Sequence, residues 1–483
     1  MNPTEINLIP DISNPTPDYY CTWQTQLFAT CNGGPAEQRK AICEQALFDP
    51  QKPWGWAHFY QKARGDLYLV MDDSWDVPPD NDERYYGSLQ LDKEKFPTFC
   101  NEELPLKALT EKVKALGWKG LGGWVCARES PTLPAQNEQA YWSERLKETQ
   151  RAGVSYWKVD WGEKCRKPAF RKMLTELGRI HAPDLWIEHA KIRESLPHSD
   201  VFRTYDVPAL MSIPMTLEKI AALAPFPEAG DNKCLINCED EAYIAAAGGF
   251  AMGIMRHPHV GPFADGRTDL SFPPLHRNLK TKLTEVLRAV RWHRLAPAFG
   301  GGKCVFSQEI LSDTWRFEKR EEEMELWWFD SPLIADFITD HIITKSAPAA
   351  FARNTVLPHV VPDEKGFAPY CIATRHPNGC FAVATLGRTA ERSYFLPKCD
   401  ITVSVGDADT IGIFGKYKTL RLETARPFTT VLLQDLAADT AVDITDKVSV
   451  SAKGLTLSGA LLEQICALPE GDTSEPGAVL KLI

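Results

Sequence analysis

The chain has 483 residues, 44% of them hydrophobic and 24% charged. That length exceeds one ordinary domain and that balance is the globular one, which excludes a wholly disordered chain and leaves room for a large core. A formal net charge of −10 with no Lys/Arg stripe argues against a nucleic-acid partner and disfavours a polyanion, whereas a neutral substrate feels no long-range repulsion.

The run MNPTEINLIPDISNPTPDYY has no basic start and no apolar stretch. It predicts no secretory leader, and no apolar run reaches the length of a membrane span, so a cytoplasmic location without a membrane partner is the expectation. The 13 cysteines are odd in number and scattered. Several, such as Cys126 and Cys371, sit in predicted strands, which reads as buried free thiols in a reducing compartment. Cys234 and Cys238 have no second ligand pair nearby, so no metal site is expected.

From about Cys21 to Pro297, short apolar runs alternate with helical patterns. The predicted strands cover residues 20–26, 66–73, 119–126, 155–160, 185–189, 201–206, 234–238 and 250–256. Their continuous apolar character suits strands covered on both faces. Predicted helices run over 104–116, with Gly117 at the C-cap position, 141–152 before Gly153, 170–177 before Gly178, and 279–295. Eight such alternations predict an α/β fold, a (β/α)₈ TIM barrel, over 1–345. Within it, 300–348 has no clear pattern. After about Ala350 the helical period fades and short β-rich runs follow, predicting a C-terminal antiparallel β-sandwich domain over 346–483.

A barrel of this kind carries its active site at the C-terminal ends of its strands. There the sequence places Asp72-Asp73 and Trp75, then Lys158, Asp160 and Trp161, then Glu188-His189, then Arg203 and Asp206, then Asn237 and Glu239-Asp240. Carboxylates and amides pair with hydroxyls while indoles stack on the apolar faces of a ring, which is the demand of a sugar site. Lys158 and Asp160 are two apart on a strand and so share a face. An adjacent ammonium keeps a carboxylate ionised, and an ionised, positioned carboxylate is a nucleophile. Asp206 is the best second carboxyl. Plainer readings stand beside these: Asp72-Asp73 as a cap, Lys158 and Asp160 as a structural ion pair, tryptophans as core, Asp206 as a turn residue. Gly120, Gly122 and Gly123 lack phosphate-loop spacing and read as small residues in a crowded strand. His257-Pro258-His259 reads as a loop.

The series VMDDSW (70–75), KFP (95–97), YWKVD (156–160) and FRTYD (202–206) resembles the α-galactosidase (melibiase) superfamily, glycoside hydrolase families 27, 36 and more distantly 31. The resemblance implies a retaining α-glycosidase with Asp160 as nucleophile and Asp206 as general acid/base. It implies that Asp72, Asp73, Lys158 and Arg203 bind the sugar, with Trp23 as an aromatic near the first strand and Asp240 on the rim. Trp161-Gly162 after the nucleophile position and Glu188-His189-Ala190-Lys191 on strand five depart from families 27 and 36, which marks a divergent member. An α-galactoside is the expected substrate, with no metal or organic cofactor. Two alternatives stay open: an α-glucosidase-type or α-N-acetylgalactosaminidase-type hydrolase, and a barrel that binds sugar without cleaving it. An oligosaccharide or glycoside is then the partner, and assembly as a homo-oligomer is left open.

Overall fold

A computed structural model of the chain describes residues 2–23, 25–26, 35–49, 55–204, 211–226, 233–255, 282–317, 341–468 and 471–483. Eight parallel strands form its first sheet: β1 (Tyr19–Cys21), β2 (Tyr68–Met71), β3 (Gly120–Val125), β4 (Tyr156–Val159), β5 (Trp186–His189), β6 (Val201–Arg203), β7 (Leu235–Asn237) and β8 (Gly253–Ile254). β8 pairs with β1, and a parallel bridge from Asn237 to Ala251 joins the β7 side to the segment entering β8, closing a barrel. Each predicted strand region overlaps one of these.

The interior is filled from below. Tyr19, Tyr68 and Tyr156 cluster with Val201 and Leu235, and the Tyr19 and Tyr156 rings lie 5.0 Å apart. Three tyrosines fit because β3 turns glycines toward them. A Cβ on Gly122 would stand 2.8 Å from Tyr156 Cβ and 2.9 Å from Val70 Cγ2, inside van der Waals contact. The same alternation points Trp157 outward, where it meets Trp142.

The helices between the strands follow their caps. α1 (Pro35–Ala41) and α2 (Glu44–Phe48) are short. α3 (Pro105–Ala115) begins on a proline, which costs nothing at a first turn. α4 (Glu138–Ala152) opens with Asn137 accepting from Ala140 N–H and ends at Gly153 with φ +67°. α5 (Pro168–His181) runs through Gly178 rather than stopping there. A Cβ at Gly178 would meet Ile187 Cδ1 at 2.4 Å, so this glycine serves close helix–strand packing and not a cap. α6 (Ser212–Leu223), α7 (Ala242–Gly248) and α8 (Leu283–Leu295) complete the described set in the barrel. Among the described residues no helix is long and apolar enough to cross a membrane.

The C-terminal sandwich packs a nine-stranded sheet on a five-stranded one. Ala373, Val383, Ile411 and Leu480 of the larger sheet meet Ile401, Val403, Leu420 and Leu455 of the smaller in a shared core. Pairing is chiefly antiparallel, with parallel neighbours at three junctions. Residues 300–348 are more ordered than their pattern foretells: Cys304–Phe306 joins the nine-stranded sheet, and Ile310–Phe317 pairs with His341–Pro348. Asn2–Pro3 also enters that sheet, so the sandwich takes strands from both sides of position 346. Its outer face is bound to the barrel. Phe414 meets Tyr243 and Trp292, and Arg288 makes two 2.8 Å bonds to Asp435. Among the described residues twelve cysteines are free thiols; Cys31 lies outside them.

Gly122→Ala should lower unfolding free energy by about 1–3 kcal/mol, the usual cost of an added methyl in a filled core. Chemical denaturation measures it, and an unchanged midpoint would contradict the tyrosine-packed interior.

Candidate active site

Alternation along the strands turns Asp72, Trp124, Lys158, Asp160, Glu188 and Arg203 toward the barrel axis at its C-terminal end. The centre of the group is Arg203, only 1% exposed. Its Nε lies 3.2 Å from Glu188 Oε1, its Nη1 3.1 Å from Glu239 Oε1, and its Nη2 3.4 Å from Asp160 Oδ1. Burial works to lower the guanidinium's proton affinity, and Asp160, Glu239 and Glu188 more than reverse it, so its pKa stands well above the usual value.

The carboxylates of this ring differ in one respect. The side chains of Glu188 and Glu239 are 0% exposed, whereas that of Asp160 is 13% exposed. Asp160 Oδ2 accepts from Trp124 Nε1 at 3.1 Å. Oδ1 also lies 3.8 Å from Lys191 Nζ. Burial pushes this carboxyl up, but Arg203 first, then Lys158, Lys191 and the Trp124 bond, hold it well below the ordinary carboxylate range. Asp160 is thus an ionised oxygen nucleophile in reach of the barrel mouth.

Glu188 is satisfied instead. It accepts from Tyr156 Oη at 2.7 Å, Asn237 Nδ2 at 2.6 Å and Tyr19 Oη at 3.2 Å. Burial raises its pKa against the pull of Arg203. Lys158 Nζ donates to Asp72 Oδ2 at 2.6 Å, and the buried thiol of Cys21 donates to the same oxygen at 2.8 Å. Burial would strip Lys158 of its proton; the charge of Asp72 overcomes it and raises the pKa. Lys158 therefore pairs with Asp72 directly and acts on Asp160 through space.

Above this floor stands an aromatic wall. Trp161 packs on Tyr86 and Trp124 with ring centroids 4.9 and 5.3 Å away, and the Arg39 guanidinium lies 5.9 Å from its ring. Asp73 accepts from Ser74 Oγ at 2.7 Å and faces Arg39 Nε at 3.8 Å. Burial pushes it up to about 6. Asp240 takes a left-handed backbone (φ +58°) and accepts from Met255 N–H at 2.6 Å. Trp23 is half-buried against the interior cluster.

Two predicted residues do not join the group. Trp75 is buried on the outer side of β3, where Gly123 makes room for it, with Nε1 donating to Trp124 O at 2.9 Å. His189 sits between Arg171 Nη1 at 3.0 Å and Thr175 Oγ1 at 2.8 Å on α5. Consecutive strand residues face opposite sides, so Glu188 inward requires His189 outward. Burial, then Arg171, keeps that imidazole neutral. Asp206 and His257-Pro258-His259 lie outside the described residues. Trp124, Lys191, Arg39 and Glu239 are the partners that sequence reasoning did not assign. Trp124 was within its reach, since it shares a strand face with Gly120 and Gly122. Lys191, in a left-handed turn (φ +72°), carries no such signal.

No protein-family model matches the sequence, and no curated protein matches it. Among solved structures, the chain is similar to a GH27 β-L-arabinopyranosidase from Geobacillus stearothermophilus, at 11% identity, TM-score 0.43 and coverage of 97% of this chain and 96% of that one. It is also similar to α-galactosidase I from Mortierella vinacea (11% identity, TM-score 0.42, 97% of each chain). An α-galactosidase from Saccharomyces cerevisiae solved with raffinose stands at 10% identity and TM-score 0.40, over 97% of this chain and 98% of that one.

The loop after β2 is itself held by buried ions. Asp76 Oδ2 accepts from Gly87 and Leu89 N–H at 3.1 Å each, and Lys95 Nζ donates to Ser74 O at 2.7 Å. Burial pushes Asp76 up to about 7. The folded state therefore holds this proton more tightly than the unfolded chain, and rising pH through about 4 to 7 removes stability. Asp76→Asn has no such proton to lose. Its Tm should gain on the wild type steadily from pH 4 to pH 8; a gap that stays constant or narrows would contradict the buried protonated carboxyl.

Proposed function

We propose that this chain is a retaining α-glycosidase that removes a terminal α-linked sugar, an α-galactoside before others, with Asp160 as nucleophile and Asp206 as general acid/base. The observation that carries it is Asp160: the exposed member of a buried carboxylate ring, held ionised by Arg203, Lys158 and Lys191. The motif series around Asp72, Lys158, Asp160 and Asp206 favours the α-galactoside. Asp72, Asp73 and Lys158 would hold hydroxyls of the sugar. Trp161, with Tyr86 and Trp124 behind it, offers an apolar surface for a ring face.

In the first step an Asp160 oxygen bonds to the anomeric carbon as the bond to the leaving oxygen breaks, and that oxygen takes its proton from Asp206. In the second, Asp206 removes a proton from water, whose oxygen displaces Asp160 and restores the α configuration. This geometry asks for carboxyls about 5–5.5 Å apart. Arg203 and Lys191 stabilise Asp160 as a leaving group in the second step as well as keeping it ionised before the first. Because Asp160 is ionised far into the acid range, the acid limb of kcat/KM should not be set by its titration, and the alkaline limb should report Asp206 losing its proton.

Asp160→Gly tests the assignment. Nitrophenyl α-galactoside turnover should fall by about a thousand-fold or more. Added azide, entering the space of the lost carboxylate, should restore it and yield the β-galactosyl azide. Near-normal turnover without azide would overturn the role of Asp160.

A further inference from the structure

Beside Asp160, between the ends of β5 and β6 and helix α6, opens a cavity of about 250 Å³. That is room for about eight waters. Four of its lining residues are cationic, Lys191, Arg193, Arg203 and Lys219, and the described lining includes no carboxylate. They come from three separate elements: Lys191 and Arg193 follow β5, Arg203 ends β6 and Lys219 is on α6. Phe202 and Leu223 add apolar walls. A solvated helix face would place its charges on one element; this convergence on a concavity does not arise that way.

Two of the four tie the cavity to the candidate nucleophile, since Lys191 Nζ and Arg203 Nη2 stand 3.8 and 3.4 Å from Asp160 Oδ1. Arg203 is balanced inside the barrel by Glu188 and Glu239, so the positive character rests on Lys191, Arg193 and Lys219. Arg193 is exposed, with Glu194 3.5 Å away and the Phe226 ring 5.4 Å beneath its guanidinium.

We propose that this cavity is an anion subsite, taking one oxyanion group of the glycoside, a carboxylate, sulfate ester or phosphate ester, next to the bond that is cleaved. The proposal rests on the glycosidase reading above and names the substrate class of that site. The chain's net charge of −10 is compatible with it. Screening cuts off long-range repulsion beyond about 8 Å at physiological salt, so a single anionic group responds to the local cations while a polyanion still meets the surrounding negative surface.

The test uses the full chain and the double variant Arg193→Glu/Lys219→Gln, with Arg193→Glu alone, at its exposed position, in reserve if the pair does not fold. Inorganic sulfate is titrated by calorimetry. Nitrophenyl α-galactoside is compared with its 6-sulfate, its 6-phosphate and the corresponding α-galacturonide, which tells the oxyanions apart. The wild type should bind sulfate and prefer an anionic member over the neutral parent in kcat/KM. The variant should lose about ten-fold or more of both, as loss of charged hydrogen bonds implies. Sulfate binding that is absent or unchanged by the variant would overturn the subsite. If no glycoside is hydrolysed, the glycosidase reading fails, and the sulfate titration still decides the subsite separately.

Discussion

A guanidinium buried among three carboxylates fixes the rest of this site. Arg203 bridges β4, β5 and the end of β7 by holding Asp160, Glu188 and Glu239 at 3.1–3.4 Å. Desolvating each ion costs several kcal/mol, and a single contact at such distances returns about 5 kcal/mol gross at an effective dielectric of about 20. One pair alone would therefore gain little net. Three carboxylates around one fork, with Tyr19, Tyr156 and Asn237 satisfying Glu188, make the arrangement stable and geometrically rigid. Rigidity is what a nucleophile needs, because positioning paid for by folding need not be supplied again during reaction.

The charges depend in turn on what lies beneath them. The tyrosine layer that fills the lower barrel supplies two of the hydroxyls that hold Glu188. The glycines of β3 make that layer possible, and Trp124, on the same strand face, carries the indole N–H that fixes Asp160. One strand thus sets both the packing below and the nucleophile above. Farther out, the sandwich clamps α7 and α8, the helices flanking β8, through Phe414 and the Arg288–Asp435 pair. This restrains the side of the barrel where the ring of strands closes.

The barrel is readable from the sequence because parallel strands covered on both faces are continuous apolar runs, and eight of them alternate with amphipathic helices. The short β-runs of the sandwich are readable for a related reason, their apolar and polar positions alternating. Residues 300–348 are not readable: their strands owe their form to partners far along the chain, which local pattern does not encode. Gly178 misleads because a glycine that admits a neighbouring side chain looks in sequence like one that ends a helix. Within the site, Asp72, Lys158, Asp160 and Arg203 follow from their places at strand ends. His189 and Trp75 show the limit of that rule, since proximity to a strand end does not decide which face a side chain takes. Lys191 and Arg39 come from turns and a short helix, where no period applies.

The central claim is that Asp160 forms the bond to the sugar. Incubating the enzyme with an activated fluorinated α-galactosyl fluoride, which slows departure from the enzyme, and mapping the modified peptide by mass spectrometry reads that bond directly. The account predicts a single galactosyl adduct on Asp160. An adduct on Asp73, Glu188 or Glu239 would contradict it.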